Sequence, residues 1–359
     1  MSNPSTGYTR PASIAELMAK VRTKRELADL FHYLNLHPKK GLGQNFLVDH
    51  NLLDFMVRAG EVGPKDLVLD IGCGTGLLTA HLADAAAQVI GVEVDRRVFA
   101  IASRYLEGRP NVRLISADAL ASKHELAPAL CEAIESAWAS GAYAAFRVVS
   151  NLPYSIASLV VPNLLESRLP ITRMVVTVQK EVAERMAAGP SRQSAERSRQ
   201  QEERPEARGT RPKNSASSVF PSPLAPRPSS RTAGAYGALS LVVQAHAEVT
   251  VLRTVPPAVF WPRPKVDSAI VGIVPQAERR KAIRDYAKFV ELIRAAFAHR
   301  RKTMANALAA SHQFGEPKEI EALLERCGQA PRDRAEQVDL EKYVELANAM
   351  ESMSITDGG

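Results

Sequence analysis

The stretch LVLDIGCGTGLLT (residues 67–79) decides the fold. A run of buried-type residues, 67–71, meets Gly72, Gly74 and Gly76, and helix-like spacing resumes at Leu77. A strand that turns tightly into a helix needs glycines there, both for the turn and to let a ligand approach the backbone. The dinucleotide fingerprint is G-x-G-x-x-G. This chain reads G-x-G-x-G, with Leu77 where the third glycine would fall. That departure weighs against NAD and toward a ligand without a pyrophosphate; a mere turn is the plain alternative.

Reading outward, QVIGVEV (88–94), VRLISA (112–117), FRVVS (146–150) and MVVTVQ (174–179) are further short apolar runs separated by helix-like stretches such as LLTAHLADAA. Strands alternating with helices predict a parallel, doubly wound, Rossmann-like α/β sheet. Ligands of such sheets bind beyond the carboxyl ends of the strands. Glu93 ends the second strand, about 20 residues past the glycine loop, where an acid takes ribose hydroxyls. Asp118, in SADAL, ends the third and could accept from an adenine amino group. Each alone could be a helix cap or a solvated charge. Together they suit S-adenosylmethionine, a positively charged sulfonium nucleoside, better than a nucleotide phosphate.

The fourth strand stops at Asn151-Leu152-Pro153-Tyr154. The Asn151 amide and the carbonyl beside Pro153 could accept both hydrogens of an aromatic amine, favouring a pyramidal nitrogen whose lone pair points at a methyl donor. Tyr154 offers a flat surface on which a base stacks, worth about 1–3 kcal/mol. Proline removes a competing donor and stiffens the turn. The set fits methylation of a base taken out of its stack. A strand-to-helix turn with a packed tyrosine is the alternative.

Composition sets the frame. With 45% hydrophobic and 24% charged residues the chain is of the ordinary soluble globular kind. No apolar run approaches the roughly 20 residues needed to cross a bilayer, and the N-terminus lacks a signal peptide's apolar core. Three scattered cysteines, Cys73, Cys131 and Cys327, suggest neither a disulfide framework nor a zinc site. No membrane and no metal are therefore expected, and the cytoplasm is the expected location. The net charge of +7 is uneven: residues 190–232 carry nine Lys or Arg and four Glu, leaving the remainder at +2. That Ser-, Pro-, Arg- and Glu-rich segment has almost nothing to bury and is expected to be a disordered insertion. Residues 1–37 form an N-terminal extension with an amphipathic helix, SIAELMAKVRTKRELADLFHYL, capped by Ser13. Residues 38–275 are expected to form the Rossmann-like domain around the insertion, 276–350 a small all-α domain, and 351–359 a tail.

GQNFLVD (43–49), DIGCGTGLLT (70–79), GVEVD (91–95), SADAL (116–120), NLPYSIAS (151–158), PPAVFWPRPKVDSAIV (256–271) and FAHRRKTMANAL (297–308) resemble, in order and spacing, the KsgA-type ribosomal RNA adenine dimethyltransferases. The resemblance covers roughly 37–350, the insertion apart. It implies transfer of two methyl groups from S-adenosylmethionine to N6 of each of two adjacent adenosines near the 3′ end of small-subunit rRNA. The expected partner is that RNA within a pre-small ribosomal subunit, met by a monomeric enzyme. By matching motifs, Gln44, Asn45 and Leu47 would close over the cofactor. Gly72 would lie under its methionine part, Glu93 on the ribose, and Asp118 with Ala119 beside the adenine. Asn151 and the Pro153 region would hold the amine. Tyr154 would stack on the base, with Phe260 facing it from the other side. One departure stands out: the family's lysine shortly before Tyr-Gly is Gly or Ala in TAGAYGALS.

From 279 to 308 there are nine Lys or Arg against Asp285 and Glu291 on helix-like sequence. Arg300, Arg301 and Lys302 are expected to contact phosphates, with Lys39, Lys40, Arg263 and Lys265 continuing the track; a solvated basic face is the alternative. Three other functions stay open: an assembly or nucleic-acid-binding factor in which methylation is secondary, a large-subunit adenine methylase conferring drug resistance, and an N6-adenine DNA methylase. The last more often shows Pro-Pro-Tyr after its Asp or Asn.

Overall fold

In a computed structural model of the chain, residues 13–190, 235–299 and 301–356 are described, 351–356 by backbone alone. The insertion read at 190–232 thus lies, apart from Pro190, outside the described residues, as does Arg300.

The strands are β1 (Phe46–Leu47), β2 (Asp66–Ile71), β3 (Gln88–Glu93), β4 (Val112–Ser116), β5 (Leu120–Ser122), β6 (Glu125–Leu126), β7 (Ala145–Asn151), β8 (Ile171–Gln179), β9 (Ala247–Val255), β10 (Phe260–Trp261) and β11 (Ser268–Pro275). Seven form one sheet in the order β4-β3-β2-β7-β8-β11-β9. The pairings β3–β4, β2–β3, β2–β7 and β7–β8 are all parallel. β2 is buried along its whole length, as a strand covered on both faces must be. Its two polar residues are each paired. Asp66 accepts from Arg147 Nε at 2.7 Å and from the Gly63 N–H at 2.9 Å, and Asp70 accepts from the Thr79 hydroxyl at 2.7 Å. The strand order reverses at β2, so the crevice beyond its end is the place for a ligand.

By compactness the chain divides into 1–160 with 169–178 and 255–268, and 161–168 with 179–254 and 269–359. This division does not coincide with the boundary read at 275. The reason is visible in the second unit's core: Leu241 and Tyr236, far upstream of 275, pack with Phe289, Leu292, Leu308, Leu324 and Tyr343. Their helices include Ala238–Gln244, Tyr286–Ala298, Met304–Ala309, Pro317–Arg326 and Leu340–Thr356.

The single amphipathic helix read in the extension is two helices, Ile14–Ala19 and Lys24–Tyr33. Ser13 caps the first as expected. Thr23 and Glu26 form a second capping box that starts a new helix and ends the old one. The second helix delivers Phe31 to an aromatic cluster, its ring centroid 5.2 Å from Phe46 and 4.8 Å from Trp261. Those two rings belong to the antiparallel pair β1–β10, in which Phe46 faces Trp261 and Leu47 faces Phe260.

Candidate active site

The glycine loop is built as its sequence demands. Gly72, Gly74 and Gly76 have φ of 71°, 58° and 87°, the left-handed region open to glycine. The Gly72 and Cys73 N–H groups both donate to the Val92 carbonyl, at 2.8 and 3.0 Å, which ties the loop to the end of β3. Gly76 caps the helix Leu77–Ala85.

Beside the loop opens a crevice of about 550 Å³, open solvent at its mouth included. Its walls bring together Gln44, Asn45, Gly72, Gly74, Glu93, Asp118, Ala119, Asn151, Leu152 and Pro153. Four strand ends and the segment before β1 thus converge there. A smaller adjoining cavity, bounded again by Phe46, Gly72, Gly74 and Asn151, takes in Leu47 and Asp70. Gly76 lies behind the loop, against Leu106.

Glu93 is 6% exposed, and its two oxygens accept from the N–H groups of Gly74 (3.0 Å) and Asp95 (2.8 Å). Burial pushes its carboxyl above the usual carboxylate range, against the pull of those hydrogen bonds. Asp70, deeper, is pushed up to about 7 by burial, with the Thr79 hydroxyl opposing and the Glu93 charge adding. Its Oδ1 is buried without a hydrogen-bond partner. Asp118 is exposed and accepts from the Leu120 N–H at 3.0 Å through one oxygen.

Asn151 is the last residue of β7 and still pairs with Thr177, so the ladder fixes its backbone. Its Nδ2 donates to the Asn45 carbonyl at 3.0 Å, and its Oδ1 is buried with no partner. Pro153 lies directly over Gly72. The Tyr154 hydroxyl is hydrogen-bonded to the buried Ser268 hydroxyl, which fixes a half-buried ring beside the crevice. Phe260 is fully buried where it pairs with Leu47 of β1, and it is not among the residues that line the crevice.

The Lys39 ammonium lies 3.1 Å from the Asp95 carboxylate, a counter-charge that a buried anion requires. Lys40, Arg263 and Lys265 are exposed. Arg301 and Lys302 are exposed as well, but in the turn between helices and not on a helix. Thr303 accepts from the Asn306 N–H and starts a fresh helix there. Arg300 lies outside the described residues.

Asp70, Phe46 and Val94 line these cavities and were not singled out in the sequence; nor was Asp95, which anchors Gln44. Asp70 carries a signal, a carboxylate within an otherwise apolar strand. Val94, 44% exposed in the crevice wall, follows the strand-end acid and offers a flat ligand an apolar face.

The crevice suits a cationic nucleoside. Glu93 and Asp118 bring carboxylate acceptors, the Asn151 Oδ1 is buried without a donor, and no Lys or Arg lines the walls. A pyrophosphate would meet repulsion there. Among the described residues no group of His, Cys, Asp and Glu is placed to hold a metal, and no helix is long and apolar enough to cross a membrane.

Comparison with known proteins agrees with this chemistry. The profile of the ribosomal RNA adenine dimethylase family matches residues 35–199 and 219–352. The chain belongs to that family. Among its relatives, Ribosomal RNA small subunit methyltransferase A of Moorella thermoacetica is 35% identical over 93% of this chain and all of its own length. The Bacillus cytotoxicus protein of the same name is 32% identical over 93% of this chain and 98% of its own. Two solved structures share the fold at 22% identity: a dimethyladenosine transferase from Plasmodium falciparum (TM-score 0.61, 86% of this chain, 98% of that one) and the 23S rRNA methyltransferase ErmE (TM-score 0.52, 86% and 100%).

Proposed function

We propose that the chain transfers two methyl groups from S-adenosylmethionine to N6 of each of two adjacent adenosines near the 3′ end of small-subunit rRNA, during assembly of that subunit. Family membership and the names of the full-length relatives support the reaction class and the small-subunit target. The observation that carries the reading is the unpaired Oδ1 of Asn151, an acceptor fixed in a crevice wall and needing a donor.

S-adenosylmethionine, when bound, supplies a methyl group on a positively charged sulfur. Glu93 would take the ribose hydroxyls through lone pairs left after its two backbone bonds, and Gly72 would let the methionine part approach the main chain. Asp118, Ala119 and Val94 would hold the adenine. Gln44, Asn45 and Leu47 would close the front. Asn151 Oδ1 accepts one hydrogen of the target amine. The Pro153 carbonyl already accepts from Ile156, so the second acceptor beside Pro153 is the Leu152 carbonyl. Held this way, the nitrogen would keep its lone pair out of the ring's π system and free for the methyl donor. Tyr154, anchored through Ser268, stacks on the base. Alignment and fixed electrostatics do the catalytic work, and the methylated amine releases its proton to water. Lys40, Arg263, Lys265, Arg300, Arg301 and Lys302 contact phosphates, which position the RNA without reading its sequence.

The test is incubation with unmethylated small subunits, large subunits and naked DNA, each with labelled cofactor, followed by mapping of the label. Dimethylated adenosines confined to small-subunit RNA support the reading. Label only in large-subunit RNA or DNA selects one of the other methylases, and binding without label selects the assembly factor.

A further inference from the structure

The GVEVD stretch ends on Asp95, a carboxylate with only 2% of its side chain exposed, to which the mechanism above gives no task. Desolvating an anion is expensive unless it is well partnered. Asp95 is partnered on every side. Oδ2 accepts from Lys39 Nζ at 3.1 Å and from Gln44 Nε2 at 3.3 Å. Oδ1 accepts from the Arg97 N–H at 3.2 Å, capping the helix Arg96–Tyr105. Its own N–H donates to Glu93. The Lys39 N–H in turn donates to Gln44 Oε1 at 2.7 Å, so Lys39, Gln44 and Asp95 close a ring.

That ring clamps one end of segment 39–45. The other end rests on the turn that carries Asn151. The Asn45 carbonyl takes Asn151 Nδ2, Ser155 Oγ donates to the Leu42 carbonyl at 3.3 Å, and Gly43 sits so close that a Cβ there would be 3.1 Å from the backbone nitrogens of Tyr154 and Ser155. A planar amide whose nitrogen is committed to one carbonyl must direct its oxygen the opposite way. The carbonyl that sets this direction belongs to the segment that Asp95 clamps.

We propose that Asp95 is a positioning residue for methyl transfer: through Lys39 and Gln44 it holds the Asn45 carbonyl where that group orients the Asn151 amide, and through its own N–H it holds Glu93. One carboxylate thereby sets both the acceptor of the target amine and the ribose-binding acid. The inference rests on the reading of Asn151 as an amine acceptor, and it moves Lys39 from the RNA track to the clamp.

Lys39→Met, Lys39→Arg and Asp95→Asn test it in the full-length protein. The measurements are hydrogen–deuterium exchange, calorimetric binding of S-adenosylhomocysteine, and steady-state kinetics on small subunits. Lys39→Met and Asp95→Asn are expected to speed exchange in peptides covering 40–47 while β2 stays protected. They weaken S-adenosylhomocysteine binding about tenfold or more, the low end of the scale of one hydrogen bond to a charged group. They lower kcat at saturating cofactor about tenfold or more, as small misplacements do. KM for the subunit stays put, and Lys39→Arg restores wild-type behaviour. A raised KM for the subunit with unchanged exchange at 40–47 would make Lys39 a phosphate contact and overturn the clamp. Faster exchange throughout the chain with kcat intact would reduce it to a stability role and overturn it equally. Should Asp95→Asn fail to fold, Lys39→Met, a change at a half-exposed side chain, carries the decision. If the wild type does not methylate small subunits, the proposed function fails, while exchange and binding still judge the clamp.

Discussion

Gly72→Ala puts the geometry of the methyl-transfer site to its most direct test. At Gly72 an added Cβ would lie 2.7 Å from Cδ and 2.8 Å from Cγ of Pro153. Carbon atoms meet comfortably at about 3.5–4.0 Å, so one side must retreat by about 1 Å. The pyrrolidine ring cannot swing aside as a flexible side chain would, because its Cδ is bonded to the backbone. The displacement therefore passes into the main chain between Asn151 and Tyr154. The φ of 71° adds roughly 1–2 kcal/mol for any residue bearing a Cβ. A displacement of about 1 Å at a reacting group costs on the order of a hundredfold in rate. We expect kcat on unmethylated small subunits to fall about a hundredfold while thermal unfolding remains cooperative. Gly41→Ala, where a Cβ meets nothing within 4 Å, serves as the control. Near-wild-type turnover by Gly72→Ala would refute the claim that Pro153 is held at the reacting position by contact with the glycine loop.

Asn151→Ala removes the unpaired acceptor and leaves Glu93 in place, so methylation should vanish while calorimetry finds S-adenosylhomocysteine bound within a few-fold of wild type; turnover in that variant contradicts the amine-holding role. Arg147→Met strands the buried Asp66 carboxylate with only the Gly63 N–H, which should cost about 3 kcal/mol in urea unfolding; an unchanged midpoint would show that Asp66 finds another partner. Asp70 gives a pH signature. Its carboxyl is raised from 3.8 to about 7, so the native state holds the proton more tightly than the unfolded chain. The resulting stability is complete below pH 4, declines as pH rises toward 7, and is gone above it. Asp70→Asn lacks this slope, so between pH 5 and 8 the wild type should lose about 3 kcal/mol relative to the variant in parallel unfolding titrations. A pH-independent difference would mean that Asp70 is ionised throughout.

The fold was legible where burial on both faces writes itself into sequence. β2, β3, β7 and β8 read as apolar runs, and the glycines between β2 and its helix mark the crevice. Glu93, Asp118 and Asn151 were legible for the same reason, each a polar residue at the point where an apolar run stops. What escaped reading depends on contacts between distant segments. Two-residue strands have no periodicity, so the pairing of Phe46 with Trp261 left no trace, and with it went the burial of Phe260. The Lys39–Asp95 pair left no trace either, because its two members are more than fifty residues apart. A second capping box divided the extension's helix and a threonine restarted the one at 304; local hydrogen bonds overrode the apolar spacing at both places.

The β1–β10 pair also bears on the order in which a growing polypeptide acquires its activity. Phe46 and Leu47 front the crevice from near the start of the chain, yet their ladder partners are Trp261 and Phe260. A ribosome synthesises more than two hundred residues between the two. A nascent chain halted before 260 would possess the glycine loop, Glu93 and Asn151 but lack the strand that braces the front wall. Cofactor affinity in a series of stalled chains should therefore rise late and abruptly, once the FW dipeptide clears the exit tunnel.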